Sequence, residues 1–141
     1  MRLKILYAGG WKVVAPMDPT GGCALEQALV AMEQDRKQHA VAIGLYALWE
    51  RIGPFGPKSL GTALYHCVDG KHGIYEFIKG DFRVLCFEEQ GALVVCSHIF
   101  RKASQKTPKR EVMRALAVQQ DYRRAWERGA IELVSIDGGE A

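Results

Sequence analysis

No run of apolar residues in this chain approaches the roughly 20 needed to cross a bilayer, so a membrane-spanning role is not expected. A Cys-x-x-Cys pair is also missing. The four cysteines, Cys23, Cys67, Cys86 and Cys96, are scattered, and at least three lie in apolar runs, as ordinary buried thiols do. His39, His66, His72 and His98 show no metal-ligand spacing. The chain is therefore expected to use neither a metal nor a cofactor. Internal repeats and low-complexity tracts are absent. Met1-Arg2-Leu3-Lys4 opens with charge, and Gly9-Gly10-Trp11-Lys12 cuts short any apolar segment of a signal peptide, so the expected compartment is the cytoplasm.

What is present suits a globular fold. At 141 residues the chain is expected to form a single domain over 1–141, with a loose tail at 137–141. Its charge is segregated. From Arg101 to Arg128 the cations are Arg101, Lys102, Lys106, Lys109, Arg110, Arg114, Arg123, Arg124 and Arg128, against Glu111, Asp121 and Glu127. That segment carries a surplus of six positive charges while the whole chain carries only +3, so the remainder is net acidic. A basic lobe of this kind suits a polyanionic partner, and equally a solvated helix face.

The elements follow from periodicity. Leu3, Ile5 and Tyr7 alternate in a first strand over Arg2–Tyr7. Pro16, Pro19 and Gly21-Gly22 then interrupt the pattern. Leu25, Leu29 and Met32 share one face of a helix over Cys23–Arg36, and Val41, Leu45, Leu48 and Ile52 do so over His39–Ile52. The short join predicts an antiparallel helical hairpin. Strands are expected at Ala63–Val68, Gly73–Ile78, Asp81–Phe87 and Ala92–Phe100. Thr107 then reads as the N-cap of a basic helix, with Pro108 in its first position, Glu111 in its first turn and Gly129 at its end. Ala130–Ile136 is a candidate final strand.

Turn chemistry suggests a register. With Lys79-Gly80 as a two-residue loop, Glu76 faces Arg83; with Glu88–Gly91 as the next loop, Arg83 faces Cys96. One face then carries Tyr75, Phe77, Phe82, Val84, Cys86, Leu93, Val95 and Ile99, ready for a core. The other gathers Glu76, Arg83 and His98 among Ile74, Leu85, Phe87, Val94 and Phe100, on the side less committed to the core.

Those three polar residues beside a run of cations are the raw material of a phosphodiester site. Attack by a 2′-hydroxyl needs a proton acceptor, a proton donor for the leaving 5′-oxygen, and cations for the charge on the phosphorane. His98 suits proton transfer near neutral pH. Arg83 suits a phosphate clamp. Lys102 and Lys106 suit charge stabilisation. Glu76 can orient Arg83 or accept a proton. The same residues also fit a plainer account, in which Glu76 and Arg83 form a cross-strand ion pair worth at most about 1 kcal/mol and His98 is a hydrogen-bonded strand histidine.

Three motifs bring a family into view: Gly73-Ile74-Tyr75-Glu76, Asp81-Phe82-Arg83-Val84-Leu85-Cys86-Phe87, and His98-Ile99-Phe100-Arg101-Lys102-Ala103-Ser104-Gln105-Lys106-Thr107-Pro108. Together with the element order they resemble the RelE/ParE superfamily of bacterial toxins, and within it the HigB-like, phage-derived branch. The resemblance covers about 58–118 through motifs and the N-terminal half through architecture. It implies an α+β, RelE-like fold: an N-terminal strand and helical hairpin, a central antiparallel sheet, and a basic C-terminal helix. It also implies a metal-independent mRNA interferase acting on the ribosome, silenced by a helix-turn-helix antitoxin. Arg83, His98, Lys102 and Glu76 would be catalytic, with Arg101, Lys106, Lys109 and Arg110 gripping RNA. The chain departs from the family pattern at Ala103, where a second lysine is common, and at Ile99, where a glycine is. A non-enzymatic, ParE-like or phage-derived inhibitor of a host protein is the alternative.

Overall fold

Arg2–Ala8 (β1) and Lys12–Pro16 (β2) form an antiparallel hairpin at the start of the chain. A computed structural model describes residues 1–136; the tail expected at 137–141 lies outside the described residues. The hairpin leads to two helices, Ala24–Glu33 (α1) and His39–Glu50 (α2), and a short 3₁₀ turn at Pro57–Leu60. Four strands follow, Tyr65–Asp69 (β3), Ile74–Lys79 (β4), Phe82–Glu89 (β5) and Leu93–Arg101 (β6). A long helix, Lys109–Glu127 (α3), and a short strand, Glu132–Val134 (β7), complete the described fold. The architecture is α+β, with the expected hairpin, sheet and C-terminal helix in place.

The seven strands among the described residues form one mixed sheet in the order β3-β4-β5-β6-β2-β1-β7. The neighbours pair antiparallel except β2 with β6 and β1 with β7, which run parallel. β2 is the strand that periodicity did not announce. Its Val13, Val14 and Ala15 are all buried, because the strand is central and apolar on both faces.

Helices cover both faces of the sheet. On one, α1 buries Leu25, Leu29 and Met32 as their spacing requires, and α2 buries Leu45, Leu48 and Trp49 against Phe77, Val84, Cys86 and Cys96. Trp49 meets Phe77 edge-on at 6.1 Å. On the other face, Ala115 and Tyr122 of α3 pack on Ile74, Leu85, Phe87 and Val95. The face carrying the polar residues is therefore a core face too, contrary to expectation, and α3 is what commits it.

The register also needs correcting. The loop between β4 and β5 is Gly80-Asp81, with Lys79 opposite Phe82 and Ile78 opposite Arg83. Gly80 has φ +57°, and it sits at the position where a two-residue hairpin turn calls for glycine. Glu76 thus pairs with Leu85 rather than Arg83. The shift is by two residues, which preserves faces, so Glu76 and Arg83 remain on the same side as diagonal neighbours.

Between β5 and β6, Arg83 pairs with Phe100 rather than Cys96. The ladder runs from Leu85↔His98 directly to Cys86↔Cys96, so Ser97 is the extra residue of a β-bulge. The bulge reverses alternation within β6. Leu93 and Val95 join the α3 face, while Val94 and Cys96 join the face of α1 and α2, the opposite of what unbroken alternation predicts. Beyond the bulge, His98 and Phe100 lie opposite Leu85 and Arg83, on the α3 face.

Candidate functional site

β6 ends beside the β4–β5 turn. The Lys102 amide donates to the Asp81 carbonyl at 2.7 Å, and the chain from 102 to 108 then passes the edge of the sheet before entering α3. Two adjoining clefts open along this path. One, of about 510 Å³, is lined by Asp81, Arg83, Lys102, Ala103, Ser104 and Gln105. The other, of about 270 Å³, is lined by His66, Cys67, Val68, Glu76, Lys102, Gln105, Lys106 and Thr107. Lys102 and Gln105 belong to both.

Glu76 is the centre of this arrangement. It is 1% exposed, on β4. Its Oε1 lies 3.7 Å from His66 Nδ1, 3.7 Å from Arg83 Nε and 3.8 Å from Lys102 Nζ. Its Oε2 accepts a hydrogen bond from the Thr107 hydroxyl at 2.8 Å. A buried carboxylate requires such company, since an unpaired charge in the interior is prohibitively costly. One acid facing the Arg83 and Lys102 cations leaves the cluster net positive.

Arg83 is held from the turn side. Its Nη1 donates to the carbonyls of Gly80 at 2.7 Å and Phe82 at 2.9 Å. Its Nε is buried without a hydrogen-bond partner among the described residues, facing Glu76 at ion-pair distance only. The side chains of Arg83 and Lys102 are 15% and 14% exposed. Both reach the clefts while resting on protein, an arrangement that fixes cations in advance of a ligand.

Thr107 does not cap α3. The helix begins at Lys109 after Pro108, with no side-chain cap, because the Thr107 hydroxyl is spent on Glu76. This ties the start of α3 to the centre of the site.

His98 occupies a different setting. It is 5% exposed and lines neither cleft. Its Nε2 lies 3.1 Å from Glu111 Oε1 of α3, and its Nδ1 lies 2.7 Å from the Ser97 hydroxyl. A carboxylate can only accept, so Nε2 carries the hydrogen and Nδ1 accepts from Ser97. Burial, and then the Arg114 cation, push the imidazole below its ordinary 6.5, against the pull of Glu111. The unfolded chain therefore takes up this proton first as pH falls. The stability that neutral His98 contributes is present above pH 6.5 and is lost as pH drops below it. His98→Gln is expected to flatten that dependence, measured as urea midpoints at about pH 7.5 and about pH 5.5.

Of the eight residues singled out in the sequence, the structure thus brings Glu76, Arg83, Lys102 and Lys106 to the clefts. Arg101 is exposed and points to the other side of the sheet edge, 3.6 Å from Asp81 and with its guanidinium 5.9 Å from the centre of the Phe82 ring. Lys109 and Arg110 are exposed in the first turn of α3 and line neither cleft. Sequence reasoning did not find His66 or Thr107. The Asp69-Gly70 turn signal held the clue to His66, because pairing back across that turn sets His66 opposite Glu76. Among the described residues no group of three His, Cys, Asp or Glu side chains is placed to hold a metal ion.

A family model described as Phage derived protein Gp49-like (DUF891) matches residues 32–120, well over half of the chain. The chain belongs to that family. The Gp49-like match contains every residue that lines the two clefts, and it extends the motif-based resemblance back through α2 to the end of α1. The Gp49-like proteins fall within the RelE/HigB-like toxins, so the chain is of a phage-derived, toxin-like kind, for which an antitoxin partner is suggested. Comparison with curated proteins gave no match. No described helix is long and apolar enough to cross a membrane.

Proposed function

We propose that this chain is the toxin of a type II toxin–antitoxin pair, of the HigB-like branch, and that it cleaves mRNA on the ribosome by 2′-hydroxyl attack. The observation that carries this reading is the pair of adjoining clefts hinged on Lys102, with Arg83 and Lys102 both anchored on one buried carboxylate. A phosphodiester placed over Lys102 has room for a nucleotide on either side. Arg83 and Lys102 hold its non-bridging oxygens and neutralise the charge that builds on the phosphorane. Glu76 fixes both cations so that no reorganisation is needed at the moment of reaction. Lys106 continues the cationic track from the smaller cleft, and Lys109, Arg110 and Arg101 meet phosphates further along the strand. His98 acts through Glu111, holding α3 and the 102–108 segment in place over β6.

A helix-turn-helix antitoxin encoded nearby would silence the protein, and the cytoplasm is where both would work. The test is induction in a bacterial host with mapping of mRNA 5′ ends. Growth arrest with new ends inside translated reading frames is the expected result. Arrest with every message intact overturns the reading in favour of inhibition of a host protein.

A further inference from the structure

The proposed reaction needs a proton acceptor for the 2′-hydroxyl, and the histidine named from the sequence is buried away from both clefts. The other three differ sharply in availability. His39 Nδ1 is bonded to the Glu33 carbonyl at 2.6 Å, closing the C-terminus of α1. His72 Nδ1 is bonded to Asp69 at 2.9 Å. The His66 imidazole makes no hydrogen bond among the described residues, and its side chain is 54% exposed. It lines the smaller cleft, opposite Glu76 across β3 and β4.

We infer that His66 is the proton-accepting catalytic residue of the RNA-cleaving site, oriented by Glu76; this rests on the proposed interferase reading. The geometry is that of a carboxylate–imidazole pair beside an anion site. Nδ1 faces Glu76 Oε1 at 3.7 Å, which leaves Nε2 directed away from the carboxylate. Lys102 Nζ lies 3.8 Å from that same oxygen. The imidazole and the ammonium that holds the phosphate are thus neighbours by construction, separated by no more than the two contacts together. A carboxylate behind Nδ1 favours the tautomer with its hydrogen there, which leaves Nε2 as the accepting nitrogen.

The step balances with the side chains present. His66 Nε2 takes the proton of the 2′-hydroxyl as its oxygen bonds to phosphorus. The bond from phosphorus to the 5′-oxygen breaks, its electron pair stays on that oxygen, and the Lys102 ammonium supplies the proton. The products are a 2′,3′-cyclic phosphate and a 5′-hydroxyl, and exchange with water restores both side chains.

The test is single-turnover cleavage of mRNA on programmed ribosomes by the full-length protein across a pH series. His66→Gln is expected to slow cleavage on the order of 100-fold or more with unchanged ribosome binding, and to remove the acid limb of the wild-type pH–rate profile. The other titratable or charged groups in that cleft are Glu76, Cys67, Lys102 and Lys106. An acid limb that survives the substitution would assign the proton transfer to another group and overturn the inference. The His66 side chain is half-exposed and its ring makes no hydrogen bond among the described residues, so the variant should melt with the wild type. His72→Gln, which lies outside both clefts, should cut at the wild-type rate. A His66→Gln rate within about threefold of wild type, with the acid limb intact, overturns the inference while leaving the interferase reading standing. A wild-type protein that cuts no RNA overturns the reading itself, and the inference with it.

Discussion

Glu76→Gln is expected to melt roughly 10 °C below the wild type, although the substitution keeps the shape of the side chain. The carboxylate it removes is 1% exposed and faces Arg83, Lys102 and His66 through one oxygen. Breaking a buried ion pair by deleting one partner costs about 3–5 kcal/mol, because the remaining charge is left uncompensated. Here the two cations keep some access to water, which places the cost near the low end, about 3 kcal/mol. For a chain of this size each kcal/mol moves the midpoint by about 3–4 °C. Loss of the Thr107 hydrogen bond alone is a smaller matter: Thr107→Val should cost about 1 kcal/mol. Differential scanning calorimetry on the three proteins separates the two contributions. A Glu76→Gln midpoint within a degree or two of wild type would mean that solvent, not Glu76, balances the cations.

The second large effect is on activity. Arg83→Ala is expected to lower RNA cleavage by about 100- to 1,000-fold, the range found when one preorganised donor to a developing oxyanion is removed. Induced cells carrying the variant should then grow at equal protein abundance. Arg83 differs from a surface cation in how it is held, with Nη1 on two turn carbonyls and Nε against Glu76. Its Nη2 makes no hydrogen bond to the described residues, and in the proposed reaction it is the group that meets the phosphate. Lysine cannot reproduce that fork, so Arg83→Lys should recover only part of the loss. Lys102 and the Thr107 hydrogen bond remain on Glu76 in both variants, so their midpoints should fall less than that of Glu76→Gln. Full growth arrest by Arg83→Ala, at wild-type abundance, would remove Arg83 from the site.

How much of this was legible in the sequence depended on whether the signal was local. The stripes of α1 and α2 were, because three or four apolar residues at helical spacing decide a helix face without reference to anything distant. β2 was not, since Pro16 and the glycines after it look like punctuation, and what makes the segment a strand is pairing with β1 and with β6, far along the chain. The register between β4 and β5 missed by two residues because the turn is Gly80-Asp81. The conclusion that Glu76 and Arg83 share a face survived only because an error of two preserves alternation. The bulge at Ser97 had no sequence signal, and it sorted Leu93, Val94, Val95 and Cys96 onto the faces opposite to those expected.

The site followed the same rule. Glu76, Arg83 and Lys102 were singled out through motifs, and their meeting at one carboxylate oxygen is a tertiary fact. Thr107 carried a helix-cap signal that Glu76 outcompeted, since a buried carboxylate gains more from the hydroxyl than an exposed helix end does. His66 was passed over because it was weighed only as a metal ligand, and its partner lies across a hairpin that the turn signal marked but did not align.

If the clefts around Lys102 cut RNA by attack of the RNA's own 2′-hydroxyl, removing that one hydroxyl must abolish the cut. The most direct measurement uses purified protein, programmed ribosomes, and two messages that differ only by a 2′-deoxy substitution at the mapped cleavage site. The all-ribose message should be cut to a 2′,3′-cyclic phosphate and a 5′-hydroxyl, and the substituted one should stay whole at that position. Equal cutting of both messages, or none of either, would exclude 2′-hydroxyl attack at these clefts.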